Sequence, residues 1–378
     1  MSTALLSFSL YTFSTSCSRT ATTEANGVNT AVTENRAFND AARFLAGMPS
    51  VAGSAYAGLE KTEAWQKYAG EMSAAWTKAE ARRLQPVKDF QASELGGSAA
   101  KSNFVFYPFS GPDVVYMQGF YPNGSVYVLA GLERPGSILS PADYNSKNLE
   151  AQLDGIRQGS ASLFERSFFV TGEMSRQMRG QLVDGLEPVL LMLLARTGNT
   201  IENVRNVEVD DNGKLVELAQ ARAKMTGQPD GIEVSYHKDG EQKHRKLYYF
   251  RLDLGSGLDK NASFLTFLDQ FGKPETLVKS ASFLLHWKNF TKLRDYILAH
   301  SAQIVQDDTG IRFETLHKQG WKLRLYGKYS RPDRPFQSQY QLDLRDAYEE
   351  EGRAKPLGFS MGYGTGRRPT IVIVANKP

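Results

Sequence analysis

Residues 103–132 limit the fold more than any other stretch of this chain. Asn103 to Phe109 reads as a short aromatic strand, Val114 to Phe120 as a short helix, and Ser125 to Leu132 as a second strand built on Val126, Tyr127, Val128 and Leu129. The joints are tight: Ser110-Gly111-Pro112-Asp113 leads strand into helix, and Pro122-Asn123-Gly124 turns the chain into the next strand. Strand, helix and strand joined so closely begin an α/β layer, because each leaves an apolar face that the other covers.

Upstream, the pattern is helical. Phe38 to Met48 places Phe38, Ala41, Ala42 and Leu45 on one face, and Tyr56 to Leu84 repeats Leu59, Trp65, Tyr68, Met72 and Trp76 near helical spacing. Pro86 is expected to break that helix, and Glu94-Leu95-Gly96-Gly97-Ser98 to form a loop. Downstream, Asn148 to Glu165 and Thr171 to Thr197 read as helices, the second kinked or broken at Pro188 and stopped by Gly198-Asn199.

From Ile201 the chain turns strand-rich. Ile201 to Val209 and Lys214 to Leu218 flank the turn Asp210-Asp211-Asn212-Gly213. Gly231 to His237 and Lys246 to Leu254 form a hairpin pattern across Lys238-Asp239-Gly240-Glu241. Ser263 to Phe271 reads as a helix, Thr276 to Leu285 as a strand, and Asn289 to Val305 as a helix. Ile311 to Leu316, Trp321 to Tyr326, Tyr340 to Leu344 and Thr370 to Ala375 read as strands.

The fold class expected is therefore α/β (or α+β), with mixed sheets flanked by helices and a helical N-terminal segment. Phe104–Leu132 and Leu277–Tyr326 both run strand, helix, strand, so two structurally similar halves are an expectation of topology, without any residue-level repeat. The divisions expected are a signal or lipoprotein-type segment over 1–17, a flexible tether over 18–36, a helical plus first α/β unit over 37–200, and a second, strand-rich α/β unit over 201–378.

The chain opens on an uncharged apolar run, Ala4 to Phe13, near the length of a signal-peptide core and too short to span a bilayer. Small residues Ser14, Thr15 and Ser16 then precede Cys17, the only cysteine. Apolar run, small residues and cysteine in that order resemble a bacterial lipobox, in which the thiol carries lipid. The resemblance implies export, with the protein periplasmic or membrane-anchored by lipid at Cys17. No Lys or Arg precedes Cys17, and Ser14 stands where lipoboxes usually carry Leu. Ser18 to Asn35 is too polar to build a core.

The rest of the chain has no cysteine, which excludes a disulfide framework, a thiolate metal site and a cysteine nucleophile there. A formal charge of +4 over 378 residues does not argue for nucleic acid. The five histidines show no metal-ligand spacing, so neither a metal nor a cofactor is expected.

The remaining chemistry lies in loops, where each residue also has a plain structural reading. Ser110 precedes a helix and could serve as a nucleophile, but the glycines of a nucleophile elbow are missing, and Ser110 with Asp113 reads first as a capping box. Asp307 and Asp308 sit together in a turn-forming Gln306-Asp307-Asp308-Thr309-Gly310, where adjacent acids shift one another's pKa. His286 ends an apolar run and could face them as a base. Tyr326 to Pro332 and Gly362 to Arg368 mix Gly, Tyr and Arg, a composition that cradles anions or stacks on sugars and also makes plain loops.

The function expected is binding, not catalysis, by an exported envelope protein. Its surface is formed by Tyr107, Asp113, Asp308, Tyr326 and Arg331, and its ligand is a small anionic molecule, a saccharide or another envelope protein. The alternatives are a hydrolase using Ser110, or Asp307 and Asp308 with His286, and a structural component of an envelope assembly. No nucleic acid is expected, and membrane contact only through the N-terminal lipid.

Overall fold

The computed structural model describes residues 36–96, 103–138, 140–144, 148–166, 185–220, 228–332, 334–363 and 370–377. The signal-like opening, Cys17, the tether, most of the Thr171–Thr197 pattern and Gly364 to Arg368 lie outside the described residues.

Helix α1 (36–45) buries Ala41, Ala42, Phe44 and Leu45. Helix α2 (Glu63–Ala79) starts where the Thr62 hydroxyl accepts from Trp65 N, and it buries Trp65, Tyr68, Met72, Trp76 and Ala79 at helical spacing. It does not end at Pro86. A π turn (Glu80–Leu84), helix α3 (Gln85–Phe90) and a second π turn (Gln91–Leu95) carry the helical path on. Proline in a regular helix meets the carbonyl four residues back. Here the turn just before Pro86 is wide, Gln85 N–H donating to Glu80 O, and the ring is accommodated.

The chain then builds one sheet. Strand β1 (Phe104–Pro108), helix α4 (Val114–Phe120) and β2 (Val126–Gly131) form the expected first unit. Helices α5 (Leu149–Arg166) and α6 (Glu187–Arg196) follow, with Pro188 in the first turn of α6, where its missing N–H costs nothing. Strands β3 (Asn199–Val209), β4 (Leu215–Leu218), β5 (Asp230–Lys238) and β6 (His244–Arg251) are antiparallel neighbours. Helices α7 (Ser256–Lys260) and α8 (Ser263–Asp269) lead to β7 (Glu275–Val278), α9 (Thr291–His300) and β8 (Gln303–Gln306). The chain closes with α10 (Phe313–Lys318), β9 (Lys322–Gly327), α11 (Leu342–Glu349), β10 (Ala354–Lys355) and β11 (Ile371–Asn376).

Four sequence expectations are corrected here. The run from Thr276 stops as a strand at Val278, because Ser280, Ser282 and Phe283 take left-handed φ. The Asn289–Val305 pattern holds both a helix and the strand β8. Ile311–Leu316 and Tyr340–Leu344 alternate like strands but enter helices. Phe313 with Leu316, and Leu344 with Ala347, are buried pairs three residues apart on α10 and α11.

Among the described residues the strand order is β10-β9-β11-β8-β7-β1-β2-β6-β5-β3-β4, eleven strands drawn from both 37–200 and 201–378. Its middle, β8-β7-β1-β2-β6, is parallel. The β1–β2 crossover helix α4 packs on one face with Val105 and Tyr107, and the β7–β8 crossover helix α9 on the other with Phe104 and Phe106. Covered on both faces, the central strands read as nearly continuous apolar runs. The two strand–helix–strand stretches are thus neighbouring crossovers of a single mixed α/β sheet, on opposite faces.

Candidate functional site

Strand β1 lies between β2, which follows it through one crossover, and β7, whose own crossover leads away to β8. The connections therefore leave the β1–β7 border in opposite directions. At such a border the loops beyond the carboxyl ends of the strands part and leave a crevice, the usual ligand position in open α/β sheets. The loops after β1, β7 and β8 all emerge at this end. Strand β9 runs the same way as β8, both antiparallel to β11, so its following loop emerges there as well.

Backbone strain concentrates at the same place. Among the described residues, the four non-glycine positions with left-handed φ are Phe109 (59°), Ser280 (54°), Ser282 (49°) and Phe283 (58°), all in the loops after β1 and β7. Each costs about 1–3 kcal/mol and persists only where surrounding contacts hold it.

The loop after β1 delivers Asp113. Its Oδ1 accepts from Tyr116 N at 3.1 Å and caps α4, so the cap is Asp113 itself and the expected Ser110–Asp113 capping box is not formed. Asp113 Oδ2 accepts from the Tyr107 hydroxyl at 2.9 Å and pairs with Lys279 Nζ at 2.7 Å. Lys279 and Asp113 are both buried, and the ammonium stands 4.1 Å from the centroid of the Tyr116 ring. Burial, and secondarily the Asp113 charge, pushes the Tyr107 hydroxyl well above its ordinary pKa, so it remains a donor.

The loop after β8 delivers two carboxyl groups with different surroundings. Asp307 is tied down: Ser280 N donates to Oδ2 at 2.8 Å, and Thr309 N at 2.9 Å and the Thr309 hydroxyl both donate to Oδ1. Burial raises the pKa of Asp307, opposed by these donors and by the charge of Lys279. Asp308 has no such support. Among the described residues no other residue donates to its carboxyl, and burial, followed by the neighbouring Asp307 charge, pushes it up to about 8. Tyr329, Tyr348 and Tyr363 are all pushed up mainly by burial, with the Asp308 charge a smaller cause. Gln341 fixes the loop by donating to Asp308 O at 3.2 Å.

Tyr363 joins the loops. Its hydroxyl donates to Ser280 O at 2.8 Å and lies 2.6 Å from Ser282 Oγ. Gly362, at φ +72°, passes so close to Asp307 that a Cβ there would stand 2.0 Å from Oδ2. The Ser280 hydroxyl is buried without a hydrogen-bond partner among the described residues.

The residues singled out in the sequence separate on this framework. Tyr107 and Asp113 are in direct contact, and Asp307 and Asp308 lie two strands away at the same sheet end. Arg331 is exposed, 5.9 Å over the ring of Tyr340, which itself stacks on Tyr329 at 5.6 Å. Tyr326 turns the other way. It is buried against Phe90, and its hydroxyl donates to Glu94 at 2.7 Å. Ser110 Oγ donates to Gly111 O at 3.1 Å, and His286 Nδ1 meets Gln339 Oε1 at 3.0 Å. Burial lowers His286 to about 4. No hydrogen bond joins Ser110, His286 and the aspartates to one another.

Sequence reasoning missed Lys279 and Ser280, and reached Tyr363 only as part of the Gly362–Arg368 loop. One signal was available: Lys279 ends a wholly apolar run, Leu277-Val278, just where Ser-Ala-Ser begins. A lysine there must be solvated or paired, and the structure pairs it. No protein-family model, curated protein or solved structure matches the chain. No helix among the described residues is long and apolar enough to cross a membrane. Among the described residues, no group of three or more His, Cys, Asp or Glu is arranged to hold a metal ion.

Proposed function

We propose that the protein binds a small, neutral, hydroxyl-rich ligand of the saccharide class in the crevice beyond β1, β7 and β8, and does no chemistry on it. The observation that carries this reading is Asp308: a recessed carboxyl that no other described residue satisfies. A carboxyl held protonated near neutral pH both donates and accepts, as a sugar hydroxyl pair requires. Its neighbour Asp307 is held in place by Thr309 and Ser280, which leaves Asp308 as the carboxyl without a donor among the described residues. A protonated Asp308 offers no countercharge to an anion. A nucleophile needs a base within hydrogen-bond reach, and Ser110 Oγ is turned to Gly111 O while no hydrogen bond joins it to His286.

The sequence before residue 18 supports an envelope address for this binding, exported and held by lipid at Cys17. A diacylglyceryl group on Cys17 in the mature protein from its native host is the expected mass-spectrometric result; an intact Met1 removes that address.

Calorimetric titration with a panel of neutral mono- and oligosaccharides tests the binding. The Asp308→Asn variant keeps a donor and an acceptor and is expected to retain binding. Asp308→Ala is expected to weaken it by about tenfold or more, as loss of a buried hydrogen-bond pair does. Binding that is indifferent to both variants, or no binding across the panel, removes the proposal.

A further inference from the structure

A cleft of ≈ 1300 Å³ lies away from the switch point, between α2 with its following π turn and the sheet edge at β9 and β10. Its lining is strongly one-signed. Lys78, Arg82 and Arg83 come from the helical wall, Arg157 from α5, and Lys328 and Lys355 from the facing wall, against a single carboxylate among the described residues, Glu71. Arg157 is engaged by Asp154 and Glu71, and Lys355 by Glu94. Lys78, Arg82 and Lys328 have no carboxylate partner among the described residues.

Arg82 and Arg83, in the π turn Glu80–Leu84, both line the cleft, Arg82 four residues beyond Lys78. Across from them, Gly327 at φ +92° lies so close to Thr370 O that a Cβ would stand 2.1 Å away, and this tight passage sets the position of Lys328. Cations on two facing walls of a concave site repel one another, and the low-dielectric walls concentrate their field in the space between. An anion bearing more than one charge relieves both walls at once, whereas a single charge reaches only one.

We propose that this cleft binds a small polyanion carrying two or more phosphate or carboxylate groups, bridged between Lys78 with Arg82 on one wall and Lys328 on the other. Calorimetry on the purified protein at low and moderate salt, with inorganic tripolyphosphate and with citrate, tests it, the two probes distinguishing phosphate from carboxylate. Binding of either probe is expected, with an affinity that falls as salt screens the exposed cations. Each of Arg82→Gln and Lys328→Gln is expected to weaken it about tenfold, the scale of one charge-assisted hydrogen bond. In the unaltered protein the bound probe is expected to protect Lys78 and Lys328 from amine acylation, a measurement that needs no variant to fold. The proposal is overturned if neither probe binds at low salt, if binding survives Lys78→Gln, Arg82→Gln and Lys328→Gln together, or if only a long sulfated polysaccharide binds.

Discussion

Asp308→Asn converts the character of the recess into a measurable slope. Burial and the adjacent Asp307 raise Asp308 from the ordinary 3.8 to about 8 in the folded protein, whereas the unfolded chain restores the ordinary value. Between those two values the native state holds a proton that the unfolded state has released. Stability therefore falls as pH rises through this window, by about 1.4 kcal/mol per pH unit for one fully protonated group. From about pH 5 to about pH 7.5 that sums to roughly 3 kcal/mol, an upper bound because solvent reaches the recess. Asparagine fills nearly the same volume and has no proton to release. Urea unfolding of both proteins across that range is the assay, read as the difference in unfolding free energy. The variant is expected to gain on the parent steadily as pH rises. His286, lowered to about 4 by burial, acts in the opposite sense, adding stability as pH climbs from about 4 to about 6.5, but it is present in both proteins and cancels in the difference. A difference that stays flat with pH would refute the buried, proton-holding Asp308 and weaken the ligand reading built on it.

Three further outcomes are expected. Lys279→Met leaves the Asp113 charge buried with only Tyr107 and Tyr116 to hold it, and should cost about 3–5 kcal/mol in chemical denaturation; adding Asp113→Asn should return most of that loss, and a cost under about 1 kcal/mol would show the pair to be incidental. Gly362→Ala forces a Cβ onto Asp307 at a left-handed φ, so a loss above about 1 kcal/mol together with a shifted Asp308 titration is expected, and a silent substitution would mean that the loops are not locked as described. His286 should stay neutral down to acid, its ring resonances titrating near 4 in an NMR series, whereas a midpoint near the ordinary 6.5 would place the ring in water.

The central elements were legible because their signals are local. In β1–α4–β2 the apolar runs and the Gly, Pro and Asn joints agree, and strand and helix fall within a residue or two of the expected bounds. The β5–β6 hairpin was readable from Asp239-Gly240 between alternating runs. Short alternating stretches were not legible. Ile311–Leu316 offers the same apolar positions to a strand of period two and to one turn of helix, and packing against β9 and β11 decides for the helix. Pro86 misled for a similar reason, since no local pattern announces a π turn.

By itself the sequence determined that this chain builds helices on a sheet, where β1, β2 and the hairpin run, and that thiol chemistry is absent beyond residue 17, because those properties follow from composition and from periodicity within a dozen residues. The tertiary structure alone decided that β7 lies beside β1, which brings Lys279 onto Asp113 from 166 positions further along the chain and sets Ser280 against Asp307. It likewise turned Tyr326 away from the crevice and gave Asp307 and Asp308, neighbours in sequence, unlike surroundings. Strand order and burial arise from contacts between residues far apart in the chain, and a pKa or a pairing depends on those contacts more than on neighbours in sequence.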